Sequence, residues 1–309
     1  MFKYFVALCL LVAGASARAD GPVPDVGVGD SGLQVVINVP QTRLFLYQNG
    51  QLIKSYPVAV GKILSKTPTG SFAVTGIYPD PSWNVPRSIQ DEMRASGKPV
   101  RTVVPPGQDN PLGKMFIRFG EPGLGLGIHG TNAPASVPGF RSHGCVRMKN
   151  PDVIDLSTRV ALGATVTVIN QSILLNQDDK GHLWLTVFHN QYQHNDVSMP
   201  LLAEVLLNWQ RNHGVAVYGR RVDVALFEQS GKPSCLTCVS STAYDGQPLT
   251  PLRWLSAPPD SAAPVLTGQN SSAPFALPPN SSAPSTNTPG NPNNGAGQCV
   301  PAATARAPG

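Results

Sequence analysis

Ser142-His143-Gly144-Cys145-Val146-Arg147-Met148 is the stretch on which the reading of this chain turns, together with His129-Gly130-Thr131-Asn132 before it. His129 and Cys145 lie sixteen positions apart, joined by a segment rich in Pro and Gly. A thiol attacks a carbonyl only as thiolate, so it needs a base beside it. The attack creates an oxyanion, which N–H donors must hold. The two segments bring a thiol, two imidazoles, a glycine and a guanidinium within reach of one site. Gly144 lets the backbone turn sharply just before the cysteine, so that amides can point inward. Cys145 is therefore the candidate nucleophile, and His129 and His143 are the candidate bases. The residues alone leave the choice of base open. Arg147 either grips a substrate carboxylate through its planar fork or braces the loop. The bland competitor is a structural free cysteine among hydrogen-bonding histidines.

Working outward, the flanks read as β-strands. Leu33–Val39 is β-branched and partly alternating. Arg43–Gln48 and Gln51–Tyr56 flank Asn49-Gly50, a pair suited to a hairpin whose turn residues need positive φ. Ser71–Tyr78, Lys114–Phe119 and Thr165–Ile169 are further strands. A helix is expected over Pro151–Leu162, with Asn150 as N-cap, Pro151 at N1 and Gly163 as the stop. Its core-facing residues would be Val153, Ile154, Leu156 and Val160. Many strands with Gly and Pro turns and one short helix point to a mainly β fold, a sandwich or barrel. The cysteine loop would sit at the helix N-terminus, whose partial positive charge favours a thiolate.

Residues 171–255 read as a small α+β accessory region. Leu183–Phe188 is a strand, Pro200–His213 an amphipathic helix, and Val222–Phe227 a closing strand. His182, His189 and His194 have no metal spacing and read as packing or surface histidines. From Ser256 onward Pro, Ser, Ala, Asn and Gly dominate, and Asp260 and Arg306 are the only charged residues. Such a segment buries too little apolar surface to offset its ordering entropy, so 256–309 is expected as a disordered tail.

The N-terminus has a secretory pattern. Lys3 precedes the apolar run Phe5–Gly14, followed by Ala15-Ser16-Ala17 and Ala17-Arg18-Ala19. Residues 1–19 are expected as a signal peptide and 20–32 as a linker, leaving no transmembrane segment after cleavage. Cys9 lies inside the apolar run after Leu8 and does not read as a lipid-attachment site. Of the remaining cysteines, Cys235 and Cys238 suit a local disulfide in an oxidising compartment, with Cys299 free or exchanging. No second ligand pair completes a zinc site. A net charge of +5 from scattered Lys and Arg, without a dense basic block, argues against a nucleic-acid partner.

Taken together, His129-Gly130-Thr131-Asn132 and Ser142-His143-Gly144-Cys145-Val146-Arg147-Met148 resemble the signature of the L,D-transpeptidase (YkuD-type) family of bacterial cell-wall enzymes. The resemblance covers roughly residues 33–170. It extends to Gly61-Lys62, Lys66-Thr67-Pro68-Thr69-Gly70-Ser71-Phe72, Trp83–Ile89, Val104-Pro105-Pro106-Gly107 and Asp109-Asn110-Pro111-Leu112-Gly113. The later segments look like the insertion of Gram-negative members, some of which attach a major outer-membrane lipoprotein to peptidoglycan. Members often carry an N-terminal LysM module, for which there is no room before residue 33, so wall targeting is expected to come from elsewhere.

The resemblance implies a periplasmic enzyme acting on peptidoglycan stem peptides, without metal or cofactor. Cys145 would attack the carbonyl of the third stem residue and D-Ala would leave. The resulting thioester would pass to an amine of another stem or of a lipoprotein lysine. The resemblance assigns the base to His129, oriented by a neighbouring carbonyl such as that of Gly130. The amides of His143, Gly144 and Cys145 would form the oxyanion hole, while Ser142 and Arg147 shape the loop. The competing readings are a stem-peptide or lipoprotein-linkage hydrolase on the same scaffold, and a wall-binding module with an idle cysteine.

Overall fold

The computed structural model describes residues 21–194, 198–240, 243–255 and 300–301. The expected signal peptide, Cys299 and nearly all of the expected tail lie outside the described residues. The fold is mainly β.

In chain order the first part contains β1 (Leu33–Asn38), β2 (Arg43–Gln48), β3 (Gln51–Pro57), β4 (Ala59–Gly61), β5 (Gly70–Pro79), β6 (Trp83–Asn84), α1 (Arg87–Ala95), β7 (Val103–Val104), β8 (Met115–Phe119), β9 (Gly127–His129), β10 (Gly139–Ser142), β11 (Val146–Arg147), α2 (Asn150–Ser157) and β12 (Thr165–Ile169). Ten of these strands form one curled sheet in the order β10-β4-β11-β9-β8-β5-β12-β1-β2-β3. Three pairings are parallel: β1 with β12, β4 with β10, and β9 with β11. The hairpin at Asn49-Gly50 forms as expected, with both residues at positive φ. Val35, Ile37, Leu44, Leu46, Ile117, Ile128, Val146 and Val166 fill the main core together with Val153 and Leu156 of α2.

The helix after the cysteine is shorter than expected. It stops at Ser157 because the β5–β12 ladder extends outward: Gly163 N–H donates to Val74 O, and Val74 N–H to Ala164 O. Residues 158–162 are thereby the connecting turn. Ile154, expected in the core, is 43% exposed. Asn150 is the first helical residue rather than its cap, and Lys149 occupies the cap position without a side-chain bond. A second helix, α1, was not anticipated. It is strongly polar, and only Ile89 and Met93, one helical turn apart, pack on a cluster of Trp83, Val85, Val104, Leu112 and Phe116.

The remainder comprises β13 (Ile173–Gln177), β14 (Leu183–Val187), α3 (Met199–His213), α4 (Gly219–Glu228), β15 (Ser234–Cys235) and β16 (Thr250–Pro251), with a sheet ordered β15-β14-β13-β16. The stripe Leu202, Leu206 and Trp209 of α3 is buried against it, as the helical spacing required. The segment Val222–Phe227 is helical instead of a strand. Val222, Ala225 and Leu226 share one helical face and pack on this core, while Val224 and Phe227 are exposed. Cys235 and Cys238 are joined in a disulfide.

Two segments are more engaged than a linker and a free tail. Val23 is buried against Val36, Phe45 and Tyr47. The buried Asp25 carboxylate accepts the amides of Trp254 and Leu255 at 2.7 and 2.6 Å. Near the C-terminus, β17 (Val300–Pro301) pairs antiparallel with β6, so this part of the expected disordered tail is a strand. Among the described residues no helix is long and apolar enough to cross a membrane.

Candidate active site

The parallel pairing of β9 and β11 aligns Ile128 with Val146 and His129 with Arg147. Ile128 and Val146 face the main core. Strand alternation therefore turns His129 and Arg147 to the opposite face, and Cys145 lies in the turn that leads into β11. Met148 N–H donates to His129 O at 2.8 Å and locks the two segments in register. The register thus sets the end of β9, which carries the imidazole, beside the turn before β11, which carries the thiol.

His129 is buried, and its Nδ1 lies 2.6 Å from Gly130 O. A carbonyl can only accept, so Nδ1 carries a proton, and in the neutral ring the lone pair then lies on Nε2. The ring stacks on Phe116, with centroids 6.4 Å apart. Phe116 in turn belongs to the cluster formed with Trp83, Val85, Val104 and Leu112. Trp83, Val85, Val104 and Leu112 therefore pack on the face of the sheet that carries His129. Gly127 precedes this pair because a Cβ there would stand 2.4 Å from the Phe116 ring.

Cys145 is fully buried, and its thiol donates to Gly125 O at 3.5 Å. Ser142 closes the cysteine loop on itself. Its hydroxyl donates to Cys145 O and accepts Gly144 N–H at 3.2 Å. Gly144 adopts a φ of 113°, a backbone state that glycine tolerates best. His143 sits apart from His129's arrangement, its Nε2 being 3.6 Å from Glu92 Oε1 on α1. Arg147 Nη1 donates to Ser136 Oγ at 2.9 Å, bracing the loop between β9 and β10. His129 and Gly130 thus lie at the end of β9, Ser142, Gly144 and Cys145 in the turn between β10 and β11, and Arg147 on β11, while His143 turns toward α1. Among the described residues no group of three or more His, Cys, Asp or Glu side chains is placed to hold a metal.

Residues 33–169 match the family model for the L,D-transpeptidase catalytic domain, YkuD. This segment belongs to the YkuD L,D-transpeptidase family. The probable L,D-transpeptidase YcfS of Escherichia coli K12 is 30% identical over 177 residues, covering 56% of this chain and 55% of that protein. The probable L,D-transpeptidase YbiS of the same strain is 32% identical over 158 residues, covering 50% of each. The chain spans about half the length of these curated relatives. A solved L,D-transpeptidase from Mycobacterium smegmatis aligns at 18% identity with a TM-score of 0.37, over 44% of this chain and 58% of that one.

Several residues that shape the YkuD-domain site carried no sequence signal of that role. Phe116 read only as a strand residue, Glu92 lay in an insertion, and Asn150 read as a helix cap. Tyr192, from the C-terminal region, is buried in the main core. Its hydroxyl accepts Thr67 N–H at 2.9 Å and donates to Gly61 O at 2.8 Å. The next amide, Lys62 N–H, donates to Ser142 O at 3.0 Å. The C-terminal region thereby reaches the backbone that supports the cysteine loop.

Proposed function

We propose that this protein is a cell-envelope L,D-transpeptidase that acts on the tetrapeptide stems of peptidoglycan through a Cys145 thioester. The observation that supports the reading is the parallel register of β9 with β11, which sets the strand end bearing His129 beside the turn bearing Cys145, with Nδ1–H of His129 held by Gly130 O. That leaves Nε2 as the ring atom able to take a thiol proton, the arrangement a cysteine nucleophile requires. His129 rather than His143 is the base, since His143 is directed to Glu92.

In the reaction, Nε2 of His129 takes the Cys145 proton and Sγ attacks the carbonyl of the third stem residue. The amides of His143 and Cys145 hold the oxyanion, since that of Gly144 donates to Ser142 Oγ. Collapse breaks the bond to D-Ala, whose amine leaves with the proton from His129. An amine acceptor then attacks the thioester, returns its proton to the imidazole and frees the thiol. No metal or cofactor is required by this sequence of steps. The disulfide between Cys235 and Cys238 suits an oxidising compartment, and the N-terminal sequence pattern suits export to the periplasm. The acceptor is a diaminopimelate of a second stem or a lysine of an outer-membrane lipoprotein.

Mass spectrometry of the protein with disaccharide-tetrapeptide, beside Cys145→Ala, tests the reading. Loss of D-Ala with a 3→3 dimer, absent in the variant, supports cross-linking. Tripeptide alone, persisting when a lipoprotein lysine peptide is added, makes the protein a hydrolase. Folded protein that binds sacculi but neither turns over stems nor forms a carbapenem adduct at Cys145 would be a wall-binding module, and the proposal would fall.

A further inference from the structure

We propose that Asn150 is a positioning residue for His129, acting through the peptide bond between Gly130 and Thr131. The inference rests on the reading of His129 and Cys145 as base and nucleophile. The carbonyl that accepts His129 Nδ1–H belongs to Gly130, and the amide of that same planar peptide unit is Thr131 N–H. Thr131 N–H donates to Asn150 Oδ1 at 3.1 Å. The path therefore runs from the imidazole Nδ1–H to a carbonyl, across one peptide plane, and from its N–H to a side-chain amide oxygen.

A planar peptide bonded at both ends cannot swing its carbonyl away from the imidazole without breaking the bond to Asn150. Hydrogen bonds in series also polarise one another, so the Asn150 contact makes Gly130 O a stronger acceptor. A carboxylate commonly holds the imidazole of a catalytic triad in its productive tautomer. Here a neutral peptide does so, and Asn150 fixes the peptide.

The surroundings are built to keep Asn150 in this place. Its Oδ1 also accepts Lys114 N–H at 3.1 Å, and its Nδ2 donates to Thr131 O at 3.0 Å. The side chain thus ties the end of β9 to the start of β8 while its own backbone opens α2. It is not spent on capping that helix. Two glycines make room for it. A Cβ at Gly130 would stand 2.1 Å from Oδ1, and one at Gly113 would stand 2.2 Å from it.

Without Asn150, the Gly130–Thr131 peptide is free to rotate and His129 can adopt the Nε2–H tautomer, which cannot accept the thiol proton. The consequence is a smaller thiolate fraction near neutral pH, with the thiol's behaviour moving toward that of an ordinary cysteine. Arg147, in register with His129 on β11, and Cys145 and His143, in the turn before it with Glu92 facing His143, are the ionisable groups of the neighbouring segment. None is altered by the substitution.

The test follows alkylation of Cys145 by iodoacetamide in the full chain, from about pH 4 to about pH 9, read by peptide mass spectrometry. Ring ¹⁵N NMR reports the His129 tautomer. For Asn150→Ala we expect the neutral-pH rate to fall about tenfold or more, a higher midpoint and loss of the single Nδ1–H tautomer. Asn150→Asp keeps the acceptor for Thr131 N–H and loses only the donor to Thr131 O. It should keep the tautomer and a midpoint no higher than wild type, although its melting temperature falls. If Asn150→Ala does not fold, Asn150→Ser, whose hydroxyl is too short to span the three backbone groups, takes its place with the same expected shift.

A lowered melting temperature with the wild-type tautomer and midpoint would make Asn150 a brace alone and overturn the proposal. An ordinary-thiol profile in the wild type would overturn the nucleophile reading and this proposal with it. A low wild-type midpoint that shifts in Asn150→Ala, without any turnover of stem peptides, would support Asn150's role while removing the proposed substrate.

Discussion

The hydroxyl of Tyr192 donates to the carbonyl of Gly61 at 2.8 Å, across 131 residues of chain. The same oxygen accepts Thr67 N–H, and Lys66 Nζ donates to Tyr192 O at 2.8 Å. A side chain of the C-terminal region therefore closes the loop between β4 and β5, whose Lys62 amide supports Ser142. Tyr192→Phe keeps the ring in the core but leaves Thr67 N–H without its acceptor in a buried place. The expected loss is about 1–3 kcal/mol of stability, read from urea unfolding. A variant as stable as wild type would show that the hydroxyl contributes nothing.

Gly113→Ala separates backbone strain from steric exclusion. Gly113 has φ +65°, and a Cβ there would meet Asn150 Oδ1 at 2.2 Å and Thr131 N at 2.3 Å. Gly97 has φ +67° with open space around it. Gly97→Ala should cost about 1–2 kcal/mol, the strain of a left-handed residue alone. Gly113→Ala should cost more and also slow acyl transfer about tenfold or more, through displacement of Asn150. Equal effects on stability and none on transfer would count against the crowding argument.

Asp155 is expected to govern part of the acid stability. It accepts Lys54 Nζ at 2.8 Å, Tyr56 Oη at 2.6 Å and Arg159 Nη2 at 3.2 Å. The Lys54 contact, then that of Tyr56, hold its carboxyl well below the usual carboxylate range. A carboxylate with a depressed folded pKa contributes stability that is complete above its unfolded pKa near 4 and fades as pH falls below it. Asp155→Asn should therefore be less stable than wild type at neutral pH, with the gap closing as the pH is lowered through about 4. Urea unfolding of both proteins across this range checks it. A gap that stays constant would refute the assignment.

The disulfide between Cys235 and Cys238 spans a very short loop, so its entropic contribution is small, about 2 kcal/mol. Arg221 Nη1 donates to the carbonyls of both cysteines, at 2.8 and 2.6 Å, and holds the turn independently. A double Cys235→Ser, Cys238→Ser variant should lose no more than that amount and keep its acyl-transfer rate. Calorimetry and the muropeptide assay would show whether the turn collapses instead.

The glycine turn at Gly144 and the Asn49-Gly50 hairpin were legible because each rests on residues close in sequence. The Cys235–Cys238 pairing was legible for the same reason. The strand at Val222–Phe227 was misread because Val222, Ala225 and Leu226 fit a helical face that only the β13–β14 sheet reveals. Short strands such as β4, β9 and β11 carry too few residues for a periodicity, yet they align the site. Helix α1 escaped notice because it is polar and makes its few apolar contacts with residues from elsewhere in the chain.

By itself, then, the sequence determined a mainly β fold and the YkuD-type segment within it, and it named the candidate thiol and imidazoles. The tertiary structure decided what each imidazole meets. His129 is distinguished from His143 by the carbonyl of Gly130 on one side and by Glu92 on the other. Asn150 and Tyr192 acquire their roles from backbone groups 19 to 131 residues away. Composition and local periodicity report which side chains prefer burial or a given backbone state. They carry no record of which distant N–H or C=O a polar side chain meets once the sheet has closed, because that pairing exists only after the strands are in register.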